Sequence, residues 1–79
     1  YPNPIADHFS VEYSVNTTGP VQINMYNMKG ALVAKLASKV LSAGQYTDNF
    51  YLPSELSAGN YLLSIESASG VISKKLLVN

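Results

Sequence analysis

The chain contains no cysteine, no tryptophan and no arginine, and each absence closes off a class of structure or function. Without cysteine there is neither a disulfide nor a thiolate metal site to compensate for a small core. Without arginine there are no bidentate clamps for phosphate or carboxylate. Five lysines against five acidic residues leave no net charge, so the basic footprint that nucleic acid requires is missing. No apolar run approaches the roughly 20 residues of a membrane-spanning helix. No signal peptide is present and the first residue is Tyr1 rather than methionine. The chain is therefore expected to be a domain cut from a longer parent whose export signal lies elsewhere.

What is present is apolar and β-prone. A chain of 79 residues is one domain, and its 47% hydrophobic fraction must supply the whole core. Tyr1-Pro2-Asn3-Pro4 is stiff and extended, because each proline fixes φ and restricts its predecessor. Residues 1–6 are expected to form a Pro-rich lead-in, serving as a strand approach and as a spacer from whatever precedes. Phe9, Val11, Tyr13 and Val15 alternate with polar residues, as do Val21, Ile23 and Met25, giving two half-buried strands separated by Asn16-Thr17-Thr18-Gly19-Pro20. Asn27-Met28-Lys29-Gly30 reads as a type I turn with glycine at the positive-φ position, so a hairpin leads into 31–36. The stretch 37–41 either continues that strand or bends away.

Gly44 opens a fourth run in which Tyr46, Asp48, Phe50 and Leu52 share one side, and Pro53-Ser54-Glu55 ends it. Tyr61, Leu63 and Ile65 then alternate with Ser64 and Glu66. The segment Ser67-Ala68-Ser69-Gly70 has the composition of a tight hairpin loop. In the closing run Ile72, Lys74, Leu76 and Val78 share one face, while Val71, Ser73, Lys75 and Leu77 share the other. One lysine on each face suits a strand whose start is packed and whose lysine stems lie along apolar surface. Phe9, Ile23, Phe50, Leu63 and Ile65 are the expected core. The spacing of turn signals, with no helical period, predicts an all-β fold: a small immunoglobulin-like antiparallel β-sandwich of six to seven strands.

One segment occurs twice. Leu41-Ser42-Ala43-Gly44-Gln45-Tyr46 recurs fifteen residues on as Leu56-Ser57-Ala58-Gly59-Asn60-Tyr61. Two copies are too few for a solenoid. They read as two equivalent approaches from loop to strand, with Leu as plug, Gly as bend and Tyr opening an inward face.

Catalytic chemistry is not expected. His8, the single histidine, adjoins Asp7, but neighbouring strand residues point to opposite faces and no nucleophile can be placed beside them. Asp48, Glu55 and Glu66 sit on different segments with nothing to pair them as acid and base. Neither a calcium-binding loop nor a phosphate loop is present, and no metal or other cofactor is expected. Among six tyrosines, Tyr13, Tyr46 and Tyr61 have inward phase, leaving Tyr1, Tyr26 and Tyr51 for any sugar-stacking platform.

The order Tyr1-Pro2-Asn3-Pro4, then Met25-Tyr26-Asn27-Met28-Lys29-Gly30-Ala31-Leu32-Val33, then Leu56-Ser57-Ala58-Gly59-Asn60-Tyr61 and Lys74-Lys75-Leu76-Leu77-Val78 resembles the C-terminal sorting domains of the Bacteroidetes type IX secretion system. The resemblance covers the whole chain, as one sorting domain over 1–79. It implies the same immunoglobulin-like fold and the role of a secretion signal rather than an enzyme. The implied partners are the type IX translocon and shuttle proteins at the outer membrane, a sortase that removes the domain, and an N-terminal cargo domain in the same chain. The cargo would pass through the periplasm to the cell surface, there to be released or attached to anionic lipopolysaccharide. Carried over by position, the recognition residues are Gly59, Tyr61, Gly70, Lys74, Lys75, Leu76 and Val78. The neutral Asn79 departs from the basic residue expected at the end of many members. Without the resemblance, the lysine pair reads as protection of a terminal strand against aggregation. The alternative functions are a non-catalytic carbohydrate- or protein-binding β-sandwich of a secreted enzyme, and a purely structural spacer or adhesin module.

Overall fold

A computed structural model describes residues 7–53 and 56–78. The lead-in over 1–6, Tyr1 as an outer aromatic, Glu55 and the terminal Asn79 lie outside those residues. Six strands follow in order: β1 (His8–Val15), β2 (Gly19–Asn27), β3 (Leu32–Leu41), β4 (Gly44–Tyr51), β5 (Gly59–Ser67) and β6 (Gly70–Val78). They form two antiparallel sheets, a two-stranded β1-β4 and a four-stranded β3-β2-β5-β6. No helix occurs among the described residues. The all-β sandwich follows from the period-2 patterning of each run, which leaves every strand with one apolar face to bury.

The core is the space between the sheets. Phe9, Val11, Tyr13 and Val15 project into it from β1, with Val21, Ile23 and Met25 from β2, Tyr61, Leu63 and Ile65 from β5, and Leu76 and Val78 from β6. Four of the five expected core residues are buried, and Phe50 is the exception. It is only half-buried, with its ring 5.7 Å from that of Phe9. Among the described residues β4 has a single strand neighbour, β1, so its inward side chains stand at the margin of the small sheet. Leu52, just past β4, is half-buried for the same reason.

β3 runs unbroken to Leu41, so 37–41 continues the strand. Its hydrophobic pattern is irregular because the β2–β3 register shifts twice, between Ile23 and Asn24 and between Met25 and Tyr26. At each shift β3 carries an extra residue, Leu36 and then Val33. Consecutive residues Leu36-Ala37 and Val33-Ala34 are thereby half-buried together, which strict alternation forbids. The turn before β3 is as expected: the Gly30 amide donates to the Asn27 carbonyl at 3.0 Å and Gly30 takes φ 85°. The Asn27 side chain accepts the amides of Lys29 and Ala31, each at 3.0 Å, fixing the turn.

Both copies of the Leu-Ser-Ala-Gly segment sit where the chain changes sheet. The first carries it from β3 to β4, the second into β5. In the first, the Tyr46 hydroxyl donates to the Ser42 carbonyl at 2.5 Å; in the second, Tyr61 donates to Ser57 at 2.6 Å. Leu41 and Leu56 pack against the core in each. The repeat is thus a corner device used twice, in which a tyrosine at the start of the new strand ties down a carbonyl of the connection it has just left.

Candidate functional site

The seven residues singled out by sequence all fall on the β5–β6 hairpin. Gly59 stands opposite Val78 and Tyr61 opposite Leu76; Lys74 is opposite Leu63, Lys75 opposite Leu62, and Gly70 closes the turn against Ser67. Neither Ala68 nor Ser69 takes a positive φ, so Gly70 supplies it at 134°. The Ser67 hydroxyl lies 3.1 Å from that of Ser69 and 3.3 Å from the Gly70 carbonyl, which it meets as donor.

The hairpin divides these residues into two groups. Tyr61, Leu76 and Val78 are core, with side chains enclosed between the sheets, and Gly59 is half-buried behind them. Gly70, Lys74 and Lys75 face solvent. Neither lysine has an ion-pair partner among the described residues. The expectation that β6 is packed at its start is reversed. Val71 is 63% exposed and Ile72 is 47% exposed, whereas Leu76 and Val78 are buried. Alternation places Ile72 on the inward face, in register with the buried Ile65. Among the described residues the small sheet has two strands against four, and this end of β6 stays exposed. A groove of about 210 Å³ runs between β1 and β6, walled by Val11 and Glu12 on one side and by Leu63, Lys74 and Leu76 on the other. A second, of about 180 Å³, lies between Ser14 and Asn16 and the exposed Gly70, Val71 and Ile72.

Two polar clusters formed by the fold are not evident from the chain. In the first, Asp48 Oδ2 accepts from the Tyr13 hydroxyl at 2.6 Å and from Lys39 Nζ at 2.8 Å. Lys39 lies opposite Val21, on the inward row of β3, and so reaches across to the small sheet. Burial pushes the Asp48 carboxyl up, but the hydrogen bonds from Lys39 and Tyr13 and the lysine charge outweigh it, holding the group below its ordinary range. Burial, followed by the bond to Asp48, raises the Tyr13 phenol far above its ordinary value, so it remains a donor. The sequence signal for this cluster is the inward phase of Asp48, a charge in a row otherwise made of Tyr46, Phe50 and Leu52. In the second cluster, Glu66 Oε2 accepts from Asn24 at 3.2 Å, Tyr26 at 3.4 Å and Ser64 at 3.5 Å. The Glu66 carboxylate, as acceptor, explains how Asn24 and Ser64 are buried on the outer face of the large sheet.

His8 is exposed, and its Nδ1 lies 2.7 Å from Asp7 Oδ1. Asp7 precedes the strand, so the rule of opposite faces does not bind it. Among the described residues no three His, Cys, Asp or Glu side chains are grouped to hold a metal ion. No helix among them is long and apolar enough to cross a membrane. Tyr26 and Tyr51 lie on different sheets, while Tyr13 is buried against Tyr46, their rings 5.8 Å apart, so these tyrosines form no common platform.

This is a small β-sandwich in which one hairpin carries an exposed cationic and apolar half-strand. The model of the secretion system C-terminal sorting domain matches residues 1–79, the whole chain, and the chain belongs to that family, the sorting domains of type IX secretion. Membership implies an export signal that interacts with the secretion system, and a secreted or cell-surface destination for the protein that carries it. No curated protein matches the chain.

Proposed function

We propose that the domain is the address by which an attached cargo is passed through the type IX outer-membrane translocon, and that a sortase then removes it, so that it acts as a substrate and not as an enzyme. The hairpin is the part that is read. Gly70, Lys74 and Lys75 offer accessible backbone and charge, while Tyr61, Leu76 and Val78 hold the hairpin in shape from within the core and Gly59 provides the bend that leads into it. The supporting observation is the division between them: two adjacent lysines are exposed on opposite faces with no ion-pair partner among the described residues, on a strand anchored by buried Leu76 and Val78. Structure alone gives such lysines little to do, since surface substitutions usually change stability by less than about 0.5 kcal/mol.

The test is a Lys74→Ala, Lys75→Ala variant fused behind an inert reporter, with melting temperature and secreted fraction measured together. The variant is expected to fold as the parent does and to leave the reporter in the periplasm. Normal folding with normal secretion would remove the lysines from recognition. They would then remain as protection of a sheet edge.

A further inference from the structure

The export reading leaves open how a partner grips the hairpin, and resting on that reading, we infer that the first half of β6, residues 71–75, pairs with an extended acidic segment of a partner protein, which adds a strand to the four-stranded sheet. Among the described residues β6 has one strand neighbour, β5, and forms an outer margin of the sheet. Over 71–75 the strand exposes both of its faces, with Val71 and Ile72 well over a third accessible and Ser73, Lys74 and Lys75 beside them. An added strand satisfies backbone groups and covers alternate side chains at once, which is the usual basis of recognition at a sheet edge. An apolar side chain on the inner face of that strand would lie beside Ile72 and shield it from water.

Charge selects the occupant. Lys74 presents to the inner side and Lys75 to the outer, so acidic residues on either face of the incoming strand meet a cation. Glu12 lines the same groove as Lys74 but forms no ion pair with it, leaving the ammonium available. A second copy answers the charge less well, because antiparallel self-pairing about Ser73 sets Lys74 against Ile72 and Lys75 against Val71 and leaves both lysines without an acidic neighbour. An anionic lipid surface would answer the charge but not the backbone groups of the strand.

The probes are two blocked peptides, one alternating valine with aspartate and the other valine with lysine, together with an N-methylated form of the acidic peptide that cannot donate backbone hydrogen bonds. Added at about 1 mM to the isotopically labelled 79-residue chain, the acidic peptide is expected to shift the amide signals of Val71 to Lys75. The lysine and N-methylated peptides are expected to leave them unmoved. A Lys74→Glu, Lys75→Glu variant, shown by its melting temperature to be folded, is expected to reverse the preference in favour of the lysine peptide. The proposal is overturned if the acidic peptide shifts nothing or shifts another surface, or if either control peptide binds as well. It is equally overturned if these residues respond to phosphatidylglycerol vesicles and ignore the peptide. The wild-type chain fused to a reporter separates the two readings. A reporter exported by a chain that pairs with no peptide sinks strand addition alone, whereas a chain that pairs with the peptide but exports nothing sinks the sorting role alone.

Discussion

The hydroxyl of Tyr61 donates to the backbone carbonyl of Ser57, four residues earlier, across the corner at which the chain passes into the large sheet. Tyr46 and Ser42 repeat the relationship at the previous corner. Tyr61 is buried and Tyr46 only half-buried, so the same bond sits in two dielectric settings. Tyr61→Phe is expected to cost about 1–2 kcal/mol, because it strands a carbonyl in a partly enclosed site. Tyr46→Phe is expected to cost less, since water can replace its hydroxyl. Denaturant titration of both variants checks the order, and an equal cost would mean that burial does not set the strength of these corners.

Acid should loosen the contact between the sheets. Asp48 is held below its ordinary range in the folded state, so its stabilisation is fully present above the unfolded carboxylate value near about 4. That contribution is lost as pH falls through the lower folded value. The melting temperature of the native chain is expected to drop over that acid window, and an Asp48→Asn variant is expected to show a shallower drop from a lower starting point. Identical pH profiles for the two would exclude Asp48 as the titrating group.

Gly59 tests backbone strain without steric clash. Its φ is 150°, and a Cβ placed there meets nothing within 4 Å. The cost of a side chain is therefore torsional, and Gly59→Ala should already carry most of it, about 1–3 kcal/mol. Thermal melts in which Gly59→Ala is neutral would show that the position tolerates an ordinary residue.

Phe9 and Phe50 are in ring contact but differ in enclosure. Phe9→Ala, at a site 1% exposed, is expected to cost about 3–5 kcal/mol. Phe50→Ala, at the margin of the small sheet, is expected to cost roughly half as much. Chemical denaturation gives both values, and an equal loss would place Phe50 in the core after all.

The features legible in the chain are those written in adjacent residues. Alternation around Phe9 and Val11, the Asn27–Gly30 turn and the twin Leu-Ser-Ala-Gly segments each depend on neighbours a few positions apart, and the strands, the hairpin and the sheet-changing corners follow from them. The hydroxyl-to-carbonyl bonds within those corners were not legible, because Tyr reads equally well as an inward aromatic. The Tyr13–Asp48–Lys39 cluster joins three strands from both sheets, and no local spacing encodes that meeting. Alternation gave the correct faces of β6 but not which half is covered. Cover depends on how far the small sheet extends, and no residue within β6 records that.

The two register shifts in β3 have a consequence for the two borders of the sheet. The β6 margin is regular over 71–75, whereas the opposite border of the same sheet follows a strand bent at two places by Leu36 and Val33. A border interrupted by extra residues is a poorer template for an added strand than a regular one. With the β3 border interrupted, regular strand addition is expected at β6 rather than at β3. The sheet thus offers two unequal templates, a regular one at β6 and an interrupted one at β3.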